Sequence, residues 1–278
     1  MVNNWAATAF NQVPNSANEI HGDKVAKDFG FKGGLVPGVT VSAYLTHPAV
    51  EAWGLEFIAR GHAHVRVASP LYDDENFQVH VDEASKLDKQ ATRYTAVLSR
   101  PNGTVSADAE VHLANAEQLA SPPIMRGDTI ADRETPALEA IPENMALLKK
   151  NGCHAVKLHW HEDHEMATYL QNPANMPELL RICDQGGGYA NMSFILGCSN
   201  WVLARVAHMN PWVHLETTSQ NFSPIPFDTK LIAEMEVLDF YNKKGHEFVD
   251  VRVNLFNADS KKCHSSIDLR AIYKLRGM

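Results

Sequence analysis

His21 supplies a side chain that titrates near neutral pH, and it lies ahead of a glycine-rich stretch, Gly33-Gly34-Leu35-Val36-Pro37-Gly38. Val39 to Trp53 then forms an apolar run long enough for a helix, entered through Pro37-Gly38. A glycine-marked turn at a helix N-terminus exposes backbone N–H groups at the positive end of the helix dipole. Such a place suits a carbonyl oxygen that gains negative charge during reaction. His21 can equally brace the loop with its ring. Asp23 reads as the N-cap of a short helix over Lys24 to Asp28. Asp184 stands just before Gly186-Gly187-Gly188 at the start of a second apolar segment, Tyr189 to Ala207. Its carboxylate can serve as a general base, or it can satisfy free N–H groups at a helix start. His159, His161 and His164, with Glu162 and Asp163 among them, form a third constellation of side chains able to hold zinc.

The same order of elements positions both glycine turns. After the first helix, Phe77, Val79 and Val81 alternate with Gln78, His80 and Asp82, which predicts a half-buried strand. Ala91 to Ser99 and Thr104 to Leu113 follow as strands joined by Pro101-Asn102-Gly103. After the second helix, Val249, Val251, Val253 and Leu255 alternate, and Asn257-Ala258-Asp259-Ser260 turns the chain into Ile267, Leu269, Ala271 and Tyr273. The halves overlay without a gap from Gly38/Gly188 to His64/His214, with Tyr44 on Phe194 and Leu45 on Ile195. Pro122, Pro123, Pro136 and Pro142 interrupt a polar stretch between them. The expected organisation is an N-terminal unit over 1–114, a linker over 115–146 and a C-terminal unit over 147–278. A helix followed by antiparallel strands, twice, is an α+β plan in which each sheet covers its apolar face with its own helix.

With 278 residues, 45% of them hydrophobic, the chain has material for buried cores. A net charge of −8 with both signs interspersed argues against a nucleic-acid surface and against general attraction to anionic membranes. Met1 to Phe10 lacks the pattern of a secretory signal and no stretch reaches membrane-spanning length, so a cytoplasmic protein is expected. Cys153, Cys183, Cys198 and Cys263 have no CxxC pair, and Cys183 and Cys198 have no basic partner at a recognisable spacing; buried thiols are expected. Trp53, Trp201 and Trp212 read as core or interface anchors.

Ser16-Ala-Asn18-Glu-Ile-His21-Gly-Asp23, with Ala26, Gly30-Phe31, Gly33-Gly34 and Leu35-Val36-Pro37-Gly38, resembles the MaoC-like, (R)-specific enoyl-CoA hydratase family. Ser69-Pro70-Leu71-Tyr72-Asp73-Asp74 is similar to that family's strand and Pro-containing turn, so the resemblance covers about the first hundred residues. It implies a tandem double hotdog, two antiparallel sheets each wrapped around a central helix, that binds a CoA or carrier-protein thioester. It places the catalytic His on His21 and its accompanying Asn on Asn18. Ser16 occupies the position of the family's catalytic Asp, and Glu19 stands where the family has Pro. A hydroxyl can orient water but cannot share the proton load of a carboxylate at neutral pH. The Pro37-Gly38-Val39 entry also resembles the hotdog dehydratases of fatty-acid synthesis, whose helix carboxylate position holds Ala43 here.

Three functions follow from this reading. The first is a hydratase or dehydratase in which His21 is acid/base, Asn18 and Ser16 position water or the loop, and Gly33, Gly34, Pro37 and Gly38 form the substrate turn. The second is a thioesterase using Asp184, beside a corresponding turn at Gly187 and Gly188. The third is a non-catalytic acyl-CoA binder. None requires a cofactor. His159-Trp160-His161-Glu162-Asp163-His164 also matches the HxHxDH pattern of metallo-β-lactamases, but that fold needs a long run of strands before the motif and a two-lobed layout around it; no metal is expected. Hotdog units pair, so a tandem chain can form its own pseudodimer, and two such chains can assemble further.

Overall fold

The periodicities resolve into a repeated set of strands around two buried helices. The computed structural model describes residues 1–115, 119–182 and 187–277. In the first half, β1 (Trp5–Thr8) is followed by α1 (Asp23–Asp28), α2 (Gly38–Trp53) and α3 (Leu55–Arg60). Then come β2 (Gly61–Val67), β3 (Asn76–Val81), α4 (Glu83–Leu87), β4 (Arg93–Ser99) and β5 (Val105–Leu113). The second half contains β6 (Leu138–Glu139), α5 (Pro142–Asn151), β7 (Val156–Trp160), α6 (Met192–Val206) and β8 (Ala207–His208). It ends with β9 (Val213–Asn221), β10 (Thr229–Lys243), β11 (His246–Asn257) and β12 (Cys263–Lys274). No helix among the described residues is long and apolar enough to cross a membrane.

The expected α+β plan is present, and the two sheets are joined edge to edge. Their strand order is β1-β3-β4-β5-β2 and β9-β12-β11-β10-β7, and β2 pairs antiparallel with β9 across the seam. Each half therefore places its first long strand after the helix at the seam and its strand before the helix at the outer edge. Of these outer strands, β1 has no counterpart in the sequence-based expectation and no period-two alternation in its letters, whereas β7 overlaps the histidine-rich segment at His159 and alternates Val156, Leu158 and Trp160 with Lys157 and His159. Pairing of β1 with β3 and of β7 with β10 makes them strands.

Helix α2 is buried along its length, with every residue from Val39 to Val50 inaccessible, so an apolar run without a polar face reads correctly as a core helix. It packs beside α6, where the Thr40 and Ser193 hydroxyls lie 3.0 Å apart and Gln12 bonds to both. The gapless register needs adjustment: α2 begins at Gly38, but α6 begins at Met192, four residues beyond Gly188. Asn191 caps α6 by accepting from the Phe194 N–H at 3.1 Å.

The stretch read as a linker is strapped to the second half. Glu234, fully buried in β10, accepts the backbone N–H groups of Arg126, Gly127 and Asp128 at 2.7, 2.6 and 2.9 Å. Gly127 adopts φ +83°, a conformation that side chains oppose and that lets three successive N–H groups converge on one carboxylate. Further along, β6 pairs parallel with β8 and α5 begins within the expected linker, at Pro142.

Several histidines are folded inside as neutral rings. Burial lowers His47, His62 and His164 to about 4 and His214 to about 3, from an ordinary 6.5. His47 is held between the Tyr169 hydroxyl at 2.9 Å and a stacked Trp5 ring, and His62 stacks on His112. The unfolded chain takes up these protons near pH 6.5 while the folded chain refuses them until about pH 4, so stability falls with pH across that window. The thermal midpoint is expected to be steady above pH 7 and to drop steeply from pH 6.5 toward 4. A midpoint that stays flat through that range in a pH series would contradict the neutral burial of these rings.

Candidate functional site

The loop carrying His21 is fixed on three sides before any substrate arrives. Its backbone carbonyl accepts from Asn11 Nδ2 at 2.9 Å, and the chain at Gly34 crosses so close that a Cβ there would lie 2.1 Å from that oxygen. Only glycine permits the crossing. Asp23 locks it: its carboxylate accepts the Gly34 N–H at 2.9 Å and the Lys27 ammonium at 3.1 Å. These bonds hold the carboxyl below its usual range. Asp23 is therefore not the N-cap expected from its position; it is the first residue of α1, and Gly22 precedes it. Beneath the loop, Ile20, Ala26 and Leu35 form a small buried cluster with Phe31, Tyr72 and Val213.

From the other half, the 210–212 segment clasps the loop. The Asn18 amide donates to the Trp212 carbonyl at 3.0 Å and accepts from the Trp212 N–H at 3.1 Å. Asn210 accepts from the Glu19 N–H at 3.0 Å and donates to the Glu19 carboxylate at 2.8 Å. Glu19 is thus one side of an interlock between the halves. Ser16 donates its hydroxyl to the Asn18 carbonyl at 3.0 Å and braces the same loop.

This frame sets the protonation of His21. A carbonyl can only accept, so the 2.7 Å contact between His21 Nδ1 and the Leu35 oxygen places the ring proton on Nδ1. Nε2 is left with a lone pair, 3.5 Å from the Asn18 amide nitrogen. Burial lowers the pKa of His21, with the Leu35 contact opposing in part, so the ring is a neutral base at pH 7. Three cavities meet at this imidazole: a broad polar one of about 820 Å³ on the Gly33-Gly34 side, and two of about 240 and 320 Å³ toward the second half.

The 240 Å³ cavity has apolar walls that include Phe31, Leu35, Val41, Leu71 and Ile272, and Gly38 opens onto it. Gly38 and Val39, the first residues of α2, have N–H groups without partners among the described residues, whereas Thr40 and Val41 bond to the Pro37 carbonyl. His214 packs on this turn, where a Cβ at Gly38 would sit 2.5 Å from its Cδ2. The His214 Nδ1 bonds to Asn200 Oδ1 at 3.1 Å, and its Nε2 is buried without a partner. Burial and the nearby His21 keep this ring neutral.

The 320 Å³ cavity brings together Ser16, Asn18, His21 and Pro37 with Glu165, Asn200, His208 and Trp212. Asn200 and Trp212 line both inner cavities. His214, Asn200 and Glu165 were not expected here. Their signals in the sequence are the His64/His214 register between the halves, a lone amide inside the apolar α6 and a carboxylate beside a histidine-rich turn.

Other expected site residues are placed elsewhere. Gly33 and Gly34 line the outer polar cavity, but the Gly34 N–H is already taken by Asp23. Gly187 and Gly188 line none of the three cavities; Gly188, with φ +84°, makes a close crossing against the Arg181 carbonyl, and Asn191 caps α6 instead. Asp184 and Cys183 lie outside the described residues. His159 pairs with Asp228 at 2.6 Å, while His164 turns its ring onto Phe194 and Trp201. Among the described residues no group of three or more His, Cys, Asp or Glu side chains is arranged to hold a metal ion. Cys198 is buried, with its thiol pKa pushed up by that burial, and Trp212 is a buried anchor between the halves.

No protein-family profile matches the chain, and no curated protein sequence does. Solved structures do. The tesB protein of Mycobacterium avium subsp. paratuberculosis is 11% identical with a TM-score of 0.57, covering 98% of this chain and 93% of its own. RV0216 of Mycobacterium tuberculosis, described as having a double hotdog fold, is 10% identical with a TM-score of 0.56 over 98% of this chain and 96% of its own. The chain is a double hotdog. A MaoC domain dehydratase named from Chloroflexus aurantiacus is similar too, at 12% identity and a TM-score of 0.53, covering 100% of this chain and 96% of its own. At such identities the likeness is one of fold alone.

In this double hotdog the Asn18 amide ties the halves together at the site. Asn18→Ala removes two hydrogen bonds to the Trp212 backbone and leaves its polar atoms unanswered, at a cost of about 1–3 kcal/mol. Urea unfolding should show a lower midpoint with an unchanged slope. Wild-type stability would mean that the clasp contributes nothing.

Proposed function

We propose that the chain is an acyl-thioester enzyme of the hydratase or dehydratase type, acting on a 2-enoyl or 3-hydroxyacyl group carried by CoA or a carrier protein. The observation that carries this reading is the His21 imidazole, held as a neutral base by the Leu35 carbonyl at the meeting point of an apolar cavity and a polar one. An acyl chain suits the apolar cavity and the carrier arm suits the outer one. Ser16 orients the loop through the Asn18 carbonyl, and Asn18 offers its amide toward His21 Nε2.

In the hydration direction, His21 Nε2 takes a proton from water as its oxygen attacks the β-carbon. Negative charge moves to the thioester oxygen, and we assign its stabilisation to the free Gly38 N–H beside the apolar cavity, at the positive end of the α2 dipole. Each such donor contributes about 2.7–4 kcal/mol where it meets a developing oxyanion. A proton delivered to the α-carbon completes the 3-hydroxyacyl product.

His21→Ala should lower 2-enoyl-CoA hydration by about 10²–10⁴-fold while leaving acyl-CoA binding nearly intact, because the imidazole takes its proton in the transition state and holds no part of the ground-state substrate. Product analysis separates the alternatives. A 3-hydroxyacyl thioester supports this reading, whereas free thiol with free acid assigns hydrolysis, and saturable binding without turnover assigns a binder. Hydration by His21→Ala at the wild-type rate would remove His21 from the chemistry.

A further inference from the structure

Among the described residues, the 320 Å³ cavity is lined by one carboxyl group, and it comes from the second half of the chain. Glu165 follows the histidine-rich turn after β7. Its flanks are pinned. The Met166 N–H bonds to His164 Nδ1 at 3.0 Å, and the buried Asn191 donates to the Met166 carbonyl at 2.9 Å and the Ala167 carbonyl at 3.2 Å. Because Asn191 also caps α6, the position of Glu165 is tied to the helix that packs on α2. The carboxyl itself has no hydrogen bond or ion pair among the described residues, although Ser16, Asn18 and His21 line the same space.

We infer, resting on the function proposed above, that Glu165 is the proton donor to the α-carbon and takes across the pseudodimer the acidic role that Ser16 cannot fill. The balance closes. Water gives one proton to His21 Nε2 and its oxygen bonds to the β-carbon; the C=C electron pair moves toward the thioester; the Glu165 carboxyl proton forms the new C–H bond. The imidazolium proton then returns to the Glu165 carboxylate, directly or through cavity water, restoring both groups. The Glu165 side chain is exposed beside the cavity, and partial desolvation without a counter-charge raises its pKa, in the direction of the protonated form that a donor needs. Among the described residues the other titratable groups facing this cavity are His21 and His208. His164, packed against Phe194 and Trp201, is kept neutral by burial.

The test measures crotonyl-CoA hydration by the full chain for wild type, Glu165→Gln, Glu165→Asp, His21→Ala and the double variant Ser16→Asp/Glu165→Gln, with a melting curve for each. Glu165→Gln should lower kcat by about 10²-fold or more with little change in KM, and should remove the fall in kcat on the alkaline side that a protonated donor imposes. Glu165→Asp should retain part of the activity. Adding Ser16→Asp to Glu165→Gln should restore at least about tenfold, since it returns a carboxyl group to the same cavity. A Glu165→Gln enzyme with wild-type kcat and pH profile, beside an inactive His21→Ala, overturns this inference and leaves the proposed function standing. A wild type that hydrates nothing, or a His21→Ala that hydrates normally, overturns the proposed function and this inference with it.

Discussion

The antiparallel pairing of β2 with β9 is the constraint from which the rest of the structure follows. His62 to Arg66 meet Gln220 to Glu216 residue for residue, so two sheets become one and neither half keeps an open inner edge. Once that seam is closed, α2 and α6 must lie side by side, because each covers its own sheet. The loops that enter the two helices then face each other. The loop at His21 faces the segment at Glu165 on one side and the turn at Trp212 on another, and the cavity forms where no single half could enclose it.

Within that space the chemistry is governed by protonation states set by neighbours. The Leu35 carbonyl selects the tautomer of His21, and burial holds it neutral. His214 repeats the arrangement with Asn200 in place of a carbonyl, and its position against Gly38 brings a second neutral ring to the turn where α2 begins. His21 links the cavity lined by His214 to the one lined by Glu165, so two neutral imidazoles and a carboxyl with a raised pKa lie around adjoining spaces.

Glu19 and Ser16, where the chain differs from the MaoC-like pattern that its first hundred residues resemble, have structural partners. Glu19 makes a two-point bond with Asn210, and Ser16 braces the Asn18 carbonyl. Both hold the His21 loop by hydrogen bonds rather than by backbone stiffness. Asp23 belongs with them, since its carboxylate fixes the Gly34 crossing on which the orientation of His21 depends.

Much of the architecture was legible in the chain because local physics determined it. Val39 to Trp53 is mostly apolar, with Glu51 exposed near its end, and reads as a buried helix, and the alternations at Phe77 to Val81 and Val249 to Leu255 read as half-buried strands. His21 stood out by residue type and by the motif around it. The outer strand Trp5–Thr8 did not, because its letters carry no alternation and it owes its conformation to the strand it pairs with. Nor did the offset between the helices, which depends on Asn191 capping α6 four residues beyond the point that the glycines suggested. The sequence by itself determined most of the elements, the duplication and the imidazole at the candidate site. Only the tertiary structure decided what faces that base, because Glu165, Asn200, Trp212 and His214 are remote in the chain and are brought to His21 by the seam and the helix pair.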